Sequence, residues 1–340
     1  MHPFLQPHEA RKLQIIQTSL KPSRCHMSLT KLLSRGPQGR IRLQFVSDLH
    51  LEVGPQYATF NIVPHATHLI LAGDIGRLAD YDGFHSFLQS QCEKFAAVYL
   101  VLGNHEFFGV SHQEGLCLAA KLQEEPGLKE RLIIMNKTRV DLQEATLLGC
   151  TLHSHILTEV EELVQKKVND FRRIVDWTVA SHNSEHAADV EWLINEVTSI
   201  KEAEKLTGSK RKIVIISHHA PSTRGTSKLS DEGNLWSSAF ATDLLGNTDE
   251  TSCLNDVQWW IFGHTHYSTE LIIGQVKLVS NQRGYVLPGK MNDLSTKGSP
   301  SLVSKGTVRK PPDNDLQNTA RSSRLLTGWT RKSSNEQHIT

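Results

Sequence analysis

The 340-residue chain lacks any apolar run of the ~20 residues that a membrane-spanning helix needs, so no membrane segment is expected. It also lacks a Cys-x-x-Cys pair, which removes the zinc ribbon and the thioredoxin motif from consideration. Its five cysteines, Cys25, Cys92, Cys117, Cys150 and Cys253, are odd in number and far apart. Scattered single thiols suit a reducing compartment and point to the cytoplasm. Internal repeats are absent. Net charge is nearly absent too, at +1, but its distribution is uneven. Residues 1–40 carry seven Lys/Arg against one acid, Glu9, and residues 286–340 carry nine against four. The stretch 41–285 is left with 21 basic and 31 acidic residues, so it offers no broad basic face to nucleic acid.

What is present divides the chain in three. Both ends are basic, polar and without an apolar period, and are read as a disordered extension, 1–40, and a disordered tail, 286–340. The basic, Ser-containing N-terminal stretch has some of the composition of a mitochondrial transit peptide, the alternative to a cytoplasmic location. Between them, short apolar runs alternate with helical patterns. Strands are predicted at Ile41–Ser47, His68–Ala72, Ala97–Leu102, Leu132–Met135, Ala145–Leu152, Lys212–Ser217, Val257–Phe262, Leu271–Ile273 and Val276–Ser280. Helices are predicted at Phe84–Phe95, Glu114–Gln123 and His182–Glu204. Alternating elements of this kind argue for a layered α/β fold.

Five of the predicted strands end in side chains that bind metals. After the first comes Ser47-Asp48-Leu49-His50, where alternation on an extended chain puts Asp48 and His50 on one side. After the second comes Gly73-Asp74, whose carboxylate has two oxygens and can serve two cations. The third ends in Gly103-Asn104-His105-Glu106, with an amide oxygen on Asn104 and an imidazole on His105 placed to act on a leaving group. The fourth ends in Ser217-His218-His219. Neighbours on a strand face opposite ways, and His218, which directly follows the strand, is chosen for the metal side. The fifth ends in Gly263-His264-Thr265-His266, with both imidazoles on one side of an extended segment. Taken singly, each has a bland reading: a surface turn, a helix cap, a core histidine. Together they place two carboxylates, an amide and several imidazoles at strand carboxyl ends, where an α/β sheet collects functional groups. Such mixed N/O donors suit Mn, Fe, Co or Zn rather than Ca or Mg.

The five motifs, in this order over roughly residues 41–285, resemble those of the calcineurin-like metallophosphoesterase family. The resemblance implies two packed mixed β-sheets flanked by helices, a four-layer sandwich. It implies two divalent ions, with Mn, Fe or Zn favoured. Asp48, His50 and His266 would hold the first ion, Asn104, His218 and His264 the second, and Asp74 would bridge them. His105 would be the acid or phosphate-binding histidine near the ions. The activity implied is hydrolysis of a phosphomonoester or phosphodiester, with hydroxide formed on the metals attacking phosphorus in line.

The substrate is expected to be a small phosphoester, and its contacts are less legible. Arg172, in Asn169-Asp170-Phe171-Arg172-Arg173, could grip a phosphate oxygen. His219 and His153 are further candidates, with His155 beside the latter. His182, His186 and Asp189 lie near helical spacing and read as an ordinary polar helix face. Ser222–Ser238, with Trp236, reads as a mobile loop over the site. Asn281-Gln282-Arg283-Gly284-Tyr285 reads as a structural turn closing the domain. Two competing functions remain: a scaffold of the same fold that has lost catalysis, against which the complete ligand set argues, and a nuclease, against which the acidic core argues. The pattern carries no information on oligomeric state.

Overall fold

A computed structural model describes residues 42–246 and 249–286. The two basic ends, with Cys25, therefore lie outside the described residues. Within them, one sheet is formed by β1 (Leu43–Val46), β2 (His68–Ala72), β3 (Ala97–Val101) and β4 (Leu132–Ile134), in that order and all parallel. β2 and β3 are buried along their whole length, as parallel strands covered on both faces must be. The second sheet runs β5 (Thr138–Asp141), β6 (Ala145–Gly149), β7 (Lys212–Ile216), β8 (Trp259–Phe262), β10 (Val276–Ser280), β9 (Glu270–Ile273). Its four middle strands are parallel, and an antiparallel strand closes each edge.

Three apolar layers stack the elements. The sheets face each other across Phe45, Ile70, Tyr99, Met135, Leu147, Ile216 and Ile261. On the outer face of the first sheet lie α1 (Tyr81–Lys94) and α2 (His112–Glu124), through Phe84, Phe87, Leu88 and Leu122. Each such apolar side chain removed from water stabilises the fold by roughly 1.5–3 kcal/mol. On the outer face of the second sheet lies α5 (Val179–Thr207), through Leu193, Val197 and Ile200. Helix, sheet, sheet, helix is the expected four-layer arrangement. Two short helices, α3 (Glu161–Lys167) and α4 (Asp170–Arg173), connect β6 to α5.

Local chemistry sets the helix limits. The Ser111 side chain accepts the Glu114 N–H at the start of α2, and Thr178 accepts the Ser181 N–H at the start of α5. α5 ends at Gly208, whose φ of +72° suits a glycine. The strand Thr138–Asp141 is absent from the sequence reading. It is an edge strand with one buried residue, Val140, so it carries little apolar signal. The strand predicted over Ala145–Leu152 ends at Gly149, opposite Ile216 at the end of β7, and Leu152 beyond it has left-handed backbone, φ +55°.

The polar-face reading of α5 is corrected. His182, His186 and Asp189 are all buried. Asp189 accepts the buried Leu152 N–H at 2.8 Å, and His186 hydrogen-bonds the His153 carbonyl. This face of α5 holds the turn that follows β6, a job that needs polar side chains turned inward.

Candidate metal centre

The carboxyl ends of β1, β2, β3, β7 and β8 meet at one place. Three groups of side chains there have ligand atoms all within 4.8 Å of one another: Asp48, His50 and His266; His50, Asp74 and His105; Asp74, His218 and His264. In the first, His50 Nε2 faces His266 Nε2 at 2.8 Å, and His266 Nε2 lies 3.6 Å from Asp48 Oδ1. In the last, His218 Nε2 lies 3.2 Å from Asp74 Oδ1, 3.1 Å from Asn104 Oδ1 and 3.2 Å from His264 Nδ1. Asp74 belongs to both sides: its other oxygen is 3.9 Å from His50 Nε2. Imidazole lone pairs converging with carboxylate oxygens at ~3 Å suit the spacing of atoms that share one cation at 2.0–2.2 Å.

Convergence depends on the backbone turning left. Asp48, His50, Asp74, His264 and His266 all have φ between +48° and +72°. Each costs about 1–2 kcal/mol in an L-residue, and such strain gathers at functional sites. This corrects the sequence reading of Asp48/His50 and His264/His266 as alternate residues of extended strands. They reach one side because the chain curls there. Close approach is secured by glycines: a Cβ at Gly103 would lie 2.3 Å from Asp74 Oδ1, and one at Gly73 would lie 2.3 Å from His218 Nδ1.

Glu106 holds the curls in place. Its buried carboxylate accepts the N–H groups of Gly103, Asp74, Ile75 and Gly76 at 2.6, 2.9, 2.7 and 3.2 Å. It thus ties the end of β3 to the end of β2. Asp48 is braced in the same way, accepting the His264 N–H at 2.9 Å.

The electrostatics favour positive charge at the centre. Burial pushes Asp48 up to about 6, while Asp74 stays well below the usual carboxylate range despite burial, because His218 and His105 stand beside it. Burial disfavours charge on His218, yet Asp74 and then Asp48 raise it to about 10. A proton on His218 and a divalent cation answer the same field. Burial holds His264 well below its ordinary value and His266 at about 3, so both offer neutral lone pairs. The donor set therefore fits divalent cations.

His105 lies at the edge of this group, its Nε2 4.0 Å from Asp74 Oδ2. Its Nδ1 bonds Glu52 Oε1 at 2.8 Å, and the same oxygen is 3.4 Å from His50 Nδ1. Burial opposes charge on His105, but Asp74 and Glu52 raise its pKa. Burial likewise opposes ionisation of Glu52, but the bonds to His105 and His50 hold it at about 2. The Tyr285 hydroxyl is 2.9 Å from His105 Nε2, and its ring stacks on His50 at 4.2 Å. The sequence reading leaves Glu52 out and takes Tyr285 only as part of a structural turn. Glu52 continues the Asp48/His50 spacing by two more residues and was visible in principle. Tyr285 was reachable only by recognising that the turn Asn281–Gly284 docks on β1. There the Arg283 and Gly284 N–H groups donate to Ser47 and Asp48 carbonyls at 3.2 and 3.0 Å.

The structure settles where the remaining candidates stand. His218, not His219, turns to Asp74 and Asn104. His219 is fully buried, with neither ring nitrogen hydrogen-bonded, packed against His264 at 4.1 Å and against His153 and His182 at 5.7 Å. His153 is buried, its Nδ1 3.8 Å from Asp189. Neither is open to a substrate in this conformation. Arg172 is exposed and donates to Asn169 Oδ1 and to the Lys166 carbonyl, so it does not reach the centre. The member of its segment that does is Asp170, which accepts from Asn104 Nδ2 at 2.8 Å. The 222–238 loop flanks the centre but is pinned at its base: Thr265 Oγ1 donates to the Thr226 carbonyl, and Asp243 binds Ser222 and Thr223. A cleft of about 430 Å³ opens beside Glu52, but its arginine, Arg77, is already paired with Asp80 at 2.8 Å.

Known proteins match this chain over the same region. The profile of the calcineurin-like phosphoesterases matches residues 41–268. An uncharacterized protein of Acanthamoeba polyphaga mimivirus is 26% identical over 279 residues, which is 72% of this chain and 91% of that protein. The crystal structure of a phosphopantetheinyl hydrolase from Mycobacterium tuberculosis has the same fold, with a TM-score of 0.53 at 16% identity, covering 72% of this chain and 89% of that one. A dimetal phosphatase from Danio rerio aligns with a TM-score of 0.42 at 12% identity, covering 71% of this chain and 86% of that one.

Proposed function

We propose, from the premise that this chain belongs to the calcineurin-like phosphoesterase family, that it hydrolyses a small phosphoester at a centre of two divalent ions. As a member of that family it is a metal-dependent phosphoester hydrolase. The two-ion reading rests on one observation: Asp74 faces two sets of imidazoles, with one oxygen 3.2 Å from His218 Nε2 and the other 3.9 Å from His50 Nε2. Asp48, His50 and His266 would hold one ion, Asn104, His218 and His264 the other, and Asp74 both. Mn, Fe or Zn suits this nitrogen-rich set best.

Divalent ions bound there would supply a water made nucleophilic near neutral pH and neutralise charge on the phosphoryl oxygens. The chain supplies the rest. Glu52 fixes the His105 ring by taking its Nδ1–H and, with Asp74, favours the protonated ring, whose second N–H, on Nε2, then lies toward the Tyr285 hydroxyl. A proton held there can pass to the departing alkoxide oxygen. The buried ligand side keeps bulk water off the reacting group and strengthens each electrostatic contact.

The test is direct. The protein is stripped with chelator and assayed with p-nitrophenyl phosphate and bis-p-nitrophenyl phosphate while Mn, Zn, Fe, Co or Mg is restored. Cleavage should return with a transition metal at two ions per chain, and the ester cleaved faster separates monoesterase from diesterase. Two bound ions without cleavage of either ester would favour the scaffold reading. Cleavage confined to DNA or RNA would favour the nuclease.

A further inference from the structure

An asparagine serves a cation only through its oxygen. The two ends of the amide are nearly the same size, so a free Asn side chain can present either one. In this protein the choice is made from behind. Asn104 Nδ2 donates to Asp170 Oδ1 at 2.8 Å in a buried bond, while Asn104 Oδ1 lies 3.1 Å from His218 Nε2. An ionised carboxylate accepts and cannot donate. Turning the amide over would set two oxygens against each other and aim an N–H at the ion.

Asp170 is otherwise hard to account for. It is buried, yet forms no ion pair among the described residues. The arginines beside it turn away, Arg172 to Asn169 and Lys166, and Arg173 over the Phe108 ring at 5.2 Å. Burial works against charge on a carboxylate that has no ion-pair partner, and it raises the Asp170 pKa although the bond to Asn104 and the nearby His105 lower it. A divalent cation one amide away would favour the ionised form.

We propose that Asp170 is a positioning residue for the inner ion: it locks Asn104 with Oδ1 toward that ion and adds negative charge behind it. The inference rests on the two-ion reading above. Carboxylates that orient a metal ligand in this way are typically worth about 10–100-fold in metal affinity.

The test measures stepwise metal affinity by chelator competition, with stoichiometry by elemental analysis. It compares wild type, Asn104→Ala, Asp170→Ala, the isosteric Asp170→Asn, and the exchange variant Asn104→Asp/Asp170→Asn. Asp170→Ala should weaken one binding step about 10–100-fold, the step that Asn104→Ala also weakens, and leave the other within about twofold. Asp170→Asn, which keeps the volume but no longer dictates the amide's orientation, should fall between. The exchange variant keeps an oxygen toward the ion and a hydrogen bond behind it, so it should recover most of the lost affinity. A purely structural role would weaken both steps together and would not be rescued. Two equally tight ions in wild type and in Asp170→Ala would overturn the positioning role alone. A wild type that binds no more than one ion at saturation would overturn the two-ion reading first. In that case an Asp170→Ala protein as tight as wild type would overturn the positioning role too.

Discussion

The two halves of the centre are built differently. On the inner side, Asn104, His218 and His264 are buried and braced from behind. His218 Nδ1 donates to the Ala72 carbonyl at 3.0 Å, Asn104 is tied to Asp170, and Gly73 and Gly103 pack directly against the ligand atoms. On the outer side, the His266 side chain retains 28% of its exposure, and the cover over His50 is the ring of Tyr285, from the last turn of the domain. The inner half is preset by these braces, whereas the outer half carries three of the five left-handed ligands, Asp48, His50 and His266, the last of them partly open to solvent. On the proposed two-ion centre, the outer ion should exchange first when metal is withdrawn.

The largest expected effect joins the halves. Asp74→Ala removes the carboxylate that faces both, so both ions should be lost to dialysis and activity should vanish within detection. A variant retaining one tight ion would mean that the halves are independent. Next, His105→Ala should lower turnover of an alkyl phosphate by about 10²–10⁴-fold, the usual worth of a positioned proton donor, with metal content nearly intact. Loss of both ions in that variant would instead make His105 a ligand. Third, His266→Ala and His264→Ala should each weaken one binding step. His264→Ala should also lower the melting temperature more, because it leaves a space against Phe240 and His219 in the interior. Equal losses of stability would erase the distinction between halves.

The legibility of the centre follows the same division. Each candidate ligand sits beside an apolar strand and a glycine or serine, so type and position could be read from local sequence: Asp48 after Val46-Ser47, His264 after Phe262-Gly263. The layers were legible for the same reason, since buried strands and amphipathic helices leave periodic apolar traces. What could not be read is what reaches the site from far away or by an unusual backbone. Asp170 is 66 residues from Asn104, and Tyr285 is 180 from His105. The left-handed turns at five ligands leave no mark in composition, because strain is tolerated only where surrounding contacts overdetermine it. The α5 histidines misled because helical spacing gives the face but not which way it points; the buried Leu152 N–H that needs Asp189 comes from another element.

Tyr285 gives the smallest and sharpest test of the contrast. Tyr285→Phe keeps the ring against His50 and removes only the hydroxyl bonded to His105 Nε2. One hydrogen bond of this kind is worth about 0.5–1.5 kcal/mol net, so turnover should change by roughly 2–12-fold. Both ions should stay bound, because no ligand is touched. The change should also depend on the substrate. p-Nitrophenolate leaves without needing a proton, so its cleavage should hardly respond, whereas an alkyl phosphate, whose alkoxide must be protonated, should slow. An equal change for both esters would assign Tyr285 to holding the outer ligands rather than to the path of the proton. Loss of one ion would go further and show that the outer half, open as it is, depends on its cover as much as the inner half depends on Asp170.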